Sequence, residues 1–159
     1  MSSFVKFLQS LGLLIARVGV GAILIAHGWV RWQQQGIDKQ VQYLTQFSTP
    51  YPEVVAWGAT IFELVGGVFL ILGALTPLIG LALLVEQALI IAYTNWYKGW
   101  NLMHNDGTYN GGYEYNVALG LLGLLFLVLG GGGAAIDRVF RRKKTEVDQY
   151  ANDDTVVRV

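Results

Sequence analysis

The 159-residue chain contains no cysteine, so disulfides, thiol redox chemistry and iron–sulfur ligation within it are excluded. Histidine is nearly absent too: His27 and His104, with Met1 and Met103, are the whole supply of soft or imidazole donors for haem or a transition metal. No closely spaced ligand motif such as HExxH occurs. A mixed site of His27, Glu114 and His104 is the one combination to weigh, and an ordinary hydrogen-bonded histidine is the simpler reading. No metal site and no cofactor held by the chain alone are therefore expected, and any electron carrier has to be a quinone, a haem or a partner's cofactor. Charge is scarce as well, at 14% of residues with a formal net charge of zero, and nothing in the chain points to nucleic acid.

What the chain has instead is apolar length. Hydrophobic residues make up 53% and there are 20 glycines. Leu11 to Val30, Val54 to Leu75, Leu78 to Tyr97 and Glu114 to Gly133 are each about 20 mostly apolar residues, enough at about 1.5 Å per residue to cross a bilayer core of roughly 30 Å. The wet face of i, i+4 charge pairs that marks a soluble helix is missing from all four. Arg17 interrupts the first run and small residues are poorly placed for cleavage, so it reads as a membrane helix and not as a signal peptide. The expected fold is all-α: one four-helix transmembrane bundle over residues 1–138, followed by a charged cytoplasmic tail over 139–159. The tail's polar composition, with Glu146, Asp148, Asp153 and Asp154, predicts disorder on its own.

Positive charge orients the helices. Arg138, Arg141, Arg142, Lys143 and Lys144 follow the fourth stretch and Lys6 precedes the first, against Arg31, Lys39 and Lys98 in the other two connections. Both termini are thus expected in the cytoplasm. The connection Gly73-Ala74-Leu75-Thr76-Pro77 reads as a tight hairpin, with Gly73 helping to end one helix and Thr76-Pro77 starting the next as N-cap and first-turn proline. In the first outer loop, Ile37, Val41, Leu44 and Phe47 alternate with Asp38, Gln42 and Gln46 at helical spacing, predicting a short interfacial helix. Trp29, Trp32, Tyr43, Tyr51, Trp57, Trp96, Tyr97, Trp100, Tyr109, Tyr113 and Tyr115 collect at the outer level as an interfacial belt, beneath which a ring-binding site for a quinone or haem edge is the sharper alternative.

Small residues share faces with charges: Glu63, Gly66, Gly67, Leu70, Gly73 and Ala74 on one stretch, Arg17, Gly21, Leu24 and Gly28 on another, and Gly120 with Gly123 on the last. Such faces point towards other helices, since glycine lets backbones approach. A lone charge in hydrocarbon costs at least roughly 2.5–3.5 kcal/mol on insertion scales, so Arg17, Glu63, Glu86 and Glu114 need partners or a purpose. Depth along the stretches puts Arg17, Glu63 and Glu86 near the midplane as an intramembrane polar cluster, and His27 with Glu114 as an outer polar pair. Two acids then share one arginine, so one glutamate is expected to carry a proton at pH 7. The cluster reads as a clamp fixing helix register or as a proton-bearing group for quinone chemistry or ion passage.

Three motifs, RVGVGAILIAHG (Arg17 to Gly28), ELVGGVFLILGALT (Glu63 to Thr76) and GGYEY (Gly111 to Tyr115), precede an apolar helix ending in Ile136-Asp137-Arg138. Together they resemble the DoxX family of small bacterial membrane proteins over roughly Leu11 to Arg138. Arg31 stands where the family usually has a lysine. The resemblance implies a four-helix, multi-pass protein of the bacterial plasma membrane, in contact with lipid and with other membrane subunits. It also implies a role as an accessory, non-catalytic subunit of a redox or respiratory complex. The alternative it implies is a quinone-reactive subunit of a thiosulfate:quinone-type oxidoreductase. The family supplies no catalytic residues to carry over.

Overall fold

The computed structural model describes residues 3–104 and 106–137, which form five helices. We label them α1 (Ser3–Gln35), α2 (Ile37–Gln46), α3 (Pro52–Leu72), α4 (Thr76–Lys98) and α5 (Glu114–Leu129). No strand occurs among the described residues, only an isolated antiparallel bridge between Met103 and Tyr109 in the loop before α5. The charged tail expected over 139–159, and the basic cluster from Arg138 onward, lie outside the described residues.

Three helices are long and apolar enough to cross a membrane: α1, α3 and α4. The helix α1 runs 33 residues, roughly 50 Å, well beyond the apolar stretch from which it is expected. The fourth apolar stretch is shorter than expected: α5 has 16 residues, roughly 24 Å, because Gly130 turns out of the helix at φ +68°. The tight hairpin forms between α3 and α4. Gly73 adopts the left-handed conformation (φ +70°), and Ala74 N–H donates to Phe69 O at 2.9 Å, closing the last turn of α3. The next helix starts differently from the sequence expectation. Thr76 does not cap α4. The Asp137 carboxylate does so from the far end of the described chain, accepting from Leu75 N–H (2.7 Å) and Thr76 N–H (2.8 Å).

The helices pack as two glycine-seamed pairs. A Cβ built on Gly21 would lie 2.7 Å from Gly67 O, and one on Gly67 would lie 2.7 Å from Gly21 O, so α1 and α3 touch backbone to backbone. Gly80 and Gly123 do the same for α4 and α5, at 2.6 and 2.8 Å. Both seams use residues from the small-residue faces read in the sequence, and those faces are buried: Arg17, Gly21, Leu24 and Gly28 on α1, Glu63, Gly66, Gly67 and Leu70 on α3. One buried apolar cluster takes Val20 and Leu24 from α1, Leu70 from α3, Ile79 and Leu83 from α4, and Leu119 and Phe126 from α5. The opposite faces are apolar and uncovered, as at Ile15, Leu78 and Val128, which suits hydrocarbon as solvent. On α2, Leu44 is buried and Ile37 and Val41 half-buried, while Asp38, Gln42 and Gln46 are exposed, the amphipathic arrangement that the spacing predicts.

Candidate functional site

A cavity of about 820 Å³ opens between α1, α3, α4 and α5 beneath α2. Its size lies in the range of small-molecule sites, and its walls are mostly apolar, including Leu24, Leu44, Phe62, Val85 and Leu119. Polar groups converge on it from three irregular helix segments. The last turns of α1 (Val30–Gln35), the middle of α3 (Phe62–Gly66) and the C-terminal part of α4 (Ile91–Asn95) are all π-helical, and they carry Arg31, Glu63 and Asn95 into the cavity lining. A π-turn inserts one extra residue per hydrogen-bonded ring and re-aims the side chains beyond it, which is why such turns gather at functional sites. Periodicity in the sequence does not announce them.

Glu63 is buried, and its Oε1 lies 3.0 Å from Arg31 Nη2; its Oε2 is buried without a partner. Glu86 lines the same cavity, close enough to interact electrostatically with both Glu63 and Arg31. Its Oε2 accepts a hydrogen bond from Gln87 Nε2 at 3.3 Å, and its Oε1 is buried without a partner. From Gln87 the bonding continues: Asn116 Nδ2 donates to Gln87 Oε1 (2.8 Å), Asn95 Nδ2 to Asn116 Oδ1 (2.8 Å), and Lys98 Nζ to Asn95 Oδ1 (3.3 Å) and to the Tyr43 hydroxyl (3.0 Å). Five polar side chains on α4 and α5 are thus strung from Lys98, at the end of α4, to Glu86, and Tyr43 ties them to α2.

The structure brings Glu63 and Glu86 together, as depth suggests, but with Arg31 beside them. Arg17 lies elsewhere. It is fully buried near the α3–α4 hairpin, where Nη2 donates to Ala134 O at 3.2 Å, Asp137 acts on it electrostatically, and Nη1 fills the space that a Cβ at Gly73 would need. The register explains the separation. With Gly21 against Gly67 and Gly28 against Glu63, α1 and α3 run antiparallel so that Arg17 comes level with Gly73, about ten residues of helix, or roughly 15 Å, below Glu63. Apolar windows give the depth of a span only to within such a shift.

The outer pair separates too. His27 stands at the cavity with its ring edge-to-face with Tyr115, centroids 6.1 Å apart. Glu114 starts α5, and its Oε1 accepts from Leu102 N–H at 2.9 Å, pinning the preceding loop. Three tyrosines of the aromatic belt, Tyr43, Tyr109 and Tyr115, turn into the cavity lining, as does Tyr93. Formal charge alone does not single out Gln87, Asn95 and Asn116, which the sequence reading therefore misses. Their signal is present all the same: three amides inside apolar stretches, one of them adjacent to Glu86. Among the described residues, no three of His, Cys, Asp or Glu come together.

The model of the DoxX family matches residues 12–96, more than half of the protein. The chain belongs to the DoxX family. The match takes in α1 from residue 12 onward, α2, α3 and all but the end of α4, and with them Arg31, Glu63, Glu86 and Gln87; the GGYEY segment and α5 lie beyond it. This DoxX protein is a multi-pass membrane protein by its family and by the length and apolarity of its helices. Among curated proteins and among solved structures, no match to the chain is found.

Proposed function

We propose that this protein is an integral subunit of a bacterial redox complex in the plasma membrane, and that its cavity holds the ring of a quinone-class ligand. The observation that carries the proposal is the cavity itself: about 820 Å³, apolar-walled, tyrosine-lined, with two carboxyls each keeping one buried, unpartnered oxygen. A pure helix clamp would close the space between its charged groups, since interiors pack without voids of that size. An intramembrane acid facing a cavity is instead the usual mark of a ligand or proton path.

In this reading α5 is the fourth crossing, both termini are cytoplasmic, and α2 lies flat on the outer surface with the tryptophans of the belt in the headgroup region. The cavity then sits towards the outer leaflet. Glu63 is the carboxylate that Arg31 holds, and Glu86, with no cation in ion-pair distance among the described residues, is the proton-bearing acid. The absence of cysteine leaves electron transfer to a partner subunit or its cofactor.

Purification from native membranes in mild detergent tests both halves. A dehydrogenase or cytochrome travelling with the chain, and saturable binding of a quinone analogue that a competing quinone displaces, are expected. Co-purification without a saturable site returns the chain to the accessory, non-catalytic role, and purification of the chain alone without one removes both halves of the proposal.

A further inference from the structure

The hydrogen bonds that end at Glu86 all point one way. Lys98 Nζ donates to Asn95, Asn95 to Asn116, Asn116 to Gln87, and Gln87 to Glu86 Oε2. The two ends dictate that direction. A lysine ammonium has only donors, so the carboxamide oxygen of Asn95 must face it and the Asn95 amine must face onward; the same logic passes through Asn116 and Gln87. At the other end Glu86 receives the final donor. Asn116 and Gln87 are buried, so no water competes to reverse either amide. Three amides aligned head to tail between a cation and a carboxyl polarise one another, and the arrangement is cooperative in a way that separate hydrogen bonds are not.

We propose that Asn95, Asn116 and Gln87 are positioning residues that commit Glu86 Oε2 as an acceptor and leave Oε1 to donate its hydrogen to a carbonyl oxygen of the ligand, with Lys98 as the fixed end that sets the direction. This rests on the quinone reading above. A carboxylic acid continues the line as an amide does, accepting at its carbonyl oxygen and donating at its hydroxyl. Glu86 Oε1 is the atom left over: it is buried, it has no partner, and its residue lines the cavity. Lys98 stands at the rim, bonded to Tyr43 of α2 and 5.5 Å from the centre of that ring, so it is held in place independently of the ligand. The ligand class that fits the end of the line is one with a ring carbonyl, and the part of the chain that orients its partner reaches back to the outer surface.

The full chain in detergent, titrated with decylubiquinone, reads this out in two ways: affinity, and the infrared carbonyl stretch of the bound quinone. The wild-type protein is expected to shift one of the two carbonyl bands to lower frequency. Asn116→Leu, which breaks the line inside, and Lys98→Met, which removes its fixed end at the rim, are both expected to abolish that shift and to weaken binding about tenfold. Lys98→Arg, which keeps a donor-only cation, is expected to retain both. Saturable binding without a shifted carbonyl overturns the inference and leaves the quinone reading standing. So does a shift that survives both Asn116→Leu and Lys98→Met in protein of wild-type thermal stability. No saturable binding to the wild-type chain removes the quinone reading and the inference with it.

Discussion

Arg31 Nη2 and Glu63 Oε1 meet at 3.0 Å across the seam between α1 and α3, each carried on a π-helical segment. The pair is largely buried, with 17% and 5% of the two side chains exposed. It forms because Gly28, one helical turn before Arg31, lets α3 approach until the Glu63 Cβ is 3.1 Å from where a Gly28 Cβ would stand. Close approach and ion pair are therefore one arrangement.

Removing either partner leaves a charge or polar group buried alone. Arg31→Leu is expected to destabilise the protein by about 3–5 kcal/mol, and Arg31→Leu with Glu63→Leu by less than Arg31→Leu alone, since an apolar replacement of the whole pair leaves nothing uncompensated. Denaturant unfolding in a fixed detergent measures the two. A double-variant loss equal to the sum of the Arg31→Leu and Glu63→Leu losses would show that the pair is not energetically coupled.

The glycine seams make a sharper contrast. Gly67→Ala places a methyl 2.7 Å from Gly21 O and 2.8 Å from Ile25 Cγ1, and is expected to cost about 1–3 kcal/mol by forcing the backbones apart. At Gly12 and Gly19 on the same α1, an added methyl would meet nothing within 4 Å, so Gly19→Ala is expected to be neutral or stabilising by up to about 1 kcal/mol through helix propensity. Thermal melts of the two variants side by side decide it.

At the hairpin, Asp137 takes the capping role expected of Thr76. Asp137→Ala is expected to cost about 0.5–2 kcal/mol, the usual loss for a helix cap, and to expose the 73–76 turn to proteases. The Thr76 hydroxyl is buried without a partner, so Thr76→Val is expected to change stability little. A large loss from Thr76→Val combined with none from Asp137→Ala reverses the assignment of the cap.

For the cavity, Glu86→Gln separates binding from proton supply. Glutamine keeps an acceptor for Gln87 and a donor for the ligand, so quinone affinity is expected to stay within about threefold of wild type, whereas turnover of the host complex with quinone falls about 10²–10⁴-fold for want of a transferable proton. Glu86→Leu is expected to lose affinity as well. Unchanged turnover in Glu86→Gln, with the complex assembled, assigns the acid to packing.

Much of this molecule is legible in its sequence. Apolar length and the absence of paired surface charge determined an all-helical membrane protein; the small-residue faces determined which sides of α1, α3 and α5 are buried; the spacing from Ile37 to Phe47 determined α2. Each of these depends on a periodicity that a helix imposes locally. What the tertiary structure decided is which charges meet. Register between antiparallel helices is set by where glycines let backbones touch, and the Gly21–Gly67 contact carries Arg17 away from Glu63 and brings Arg31 to it. The π-turns, the capping of α4 by Asp137 and the one-way line from Lys98 to Glu86 are likewise stabilised only once the helices have docked, so no local pattern encodes them.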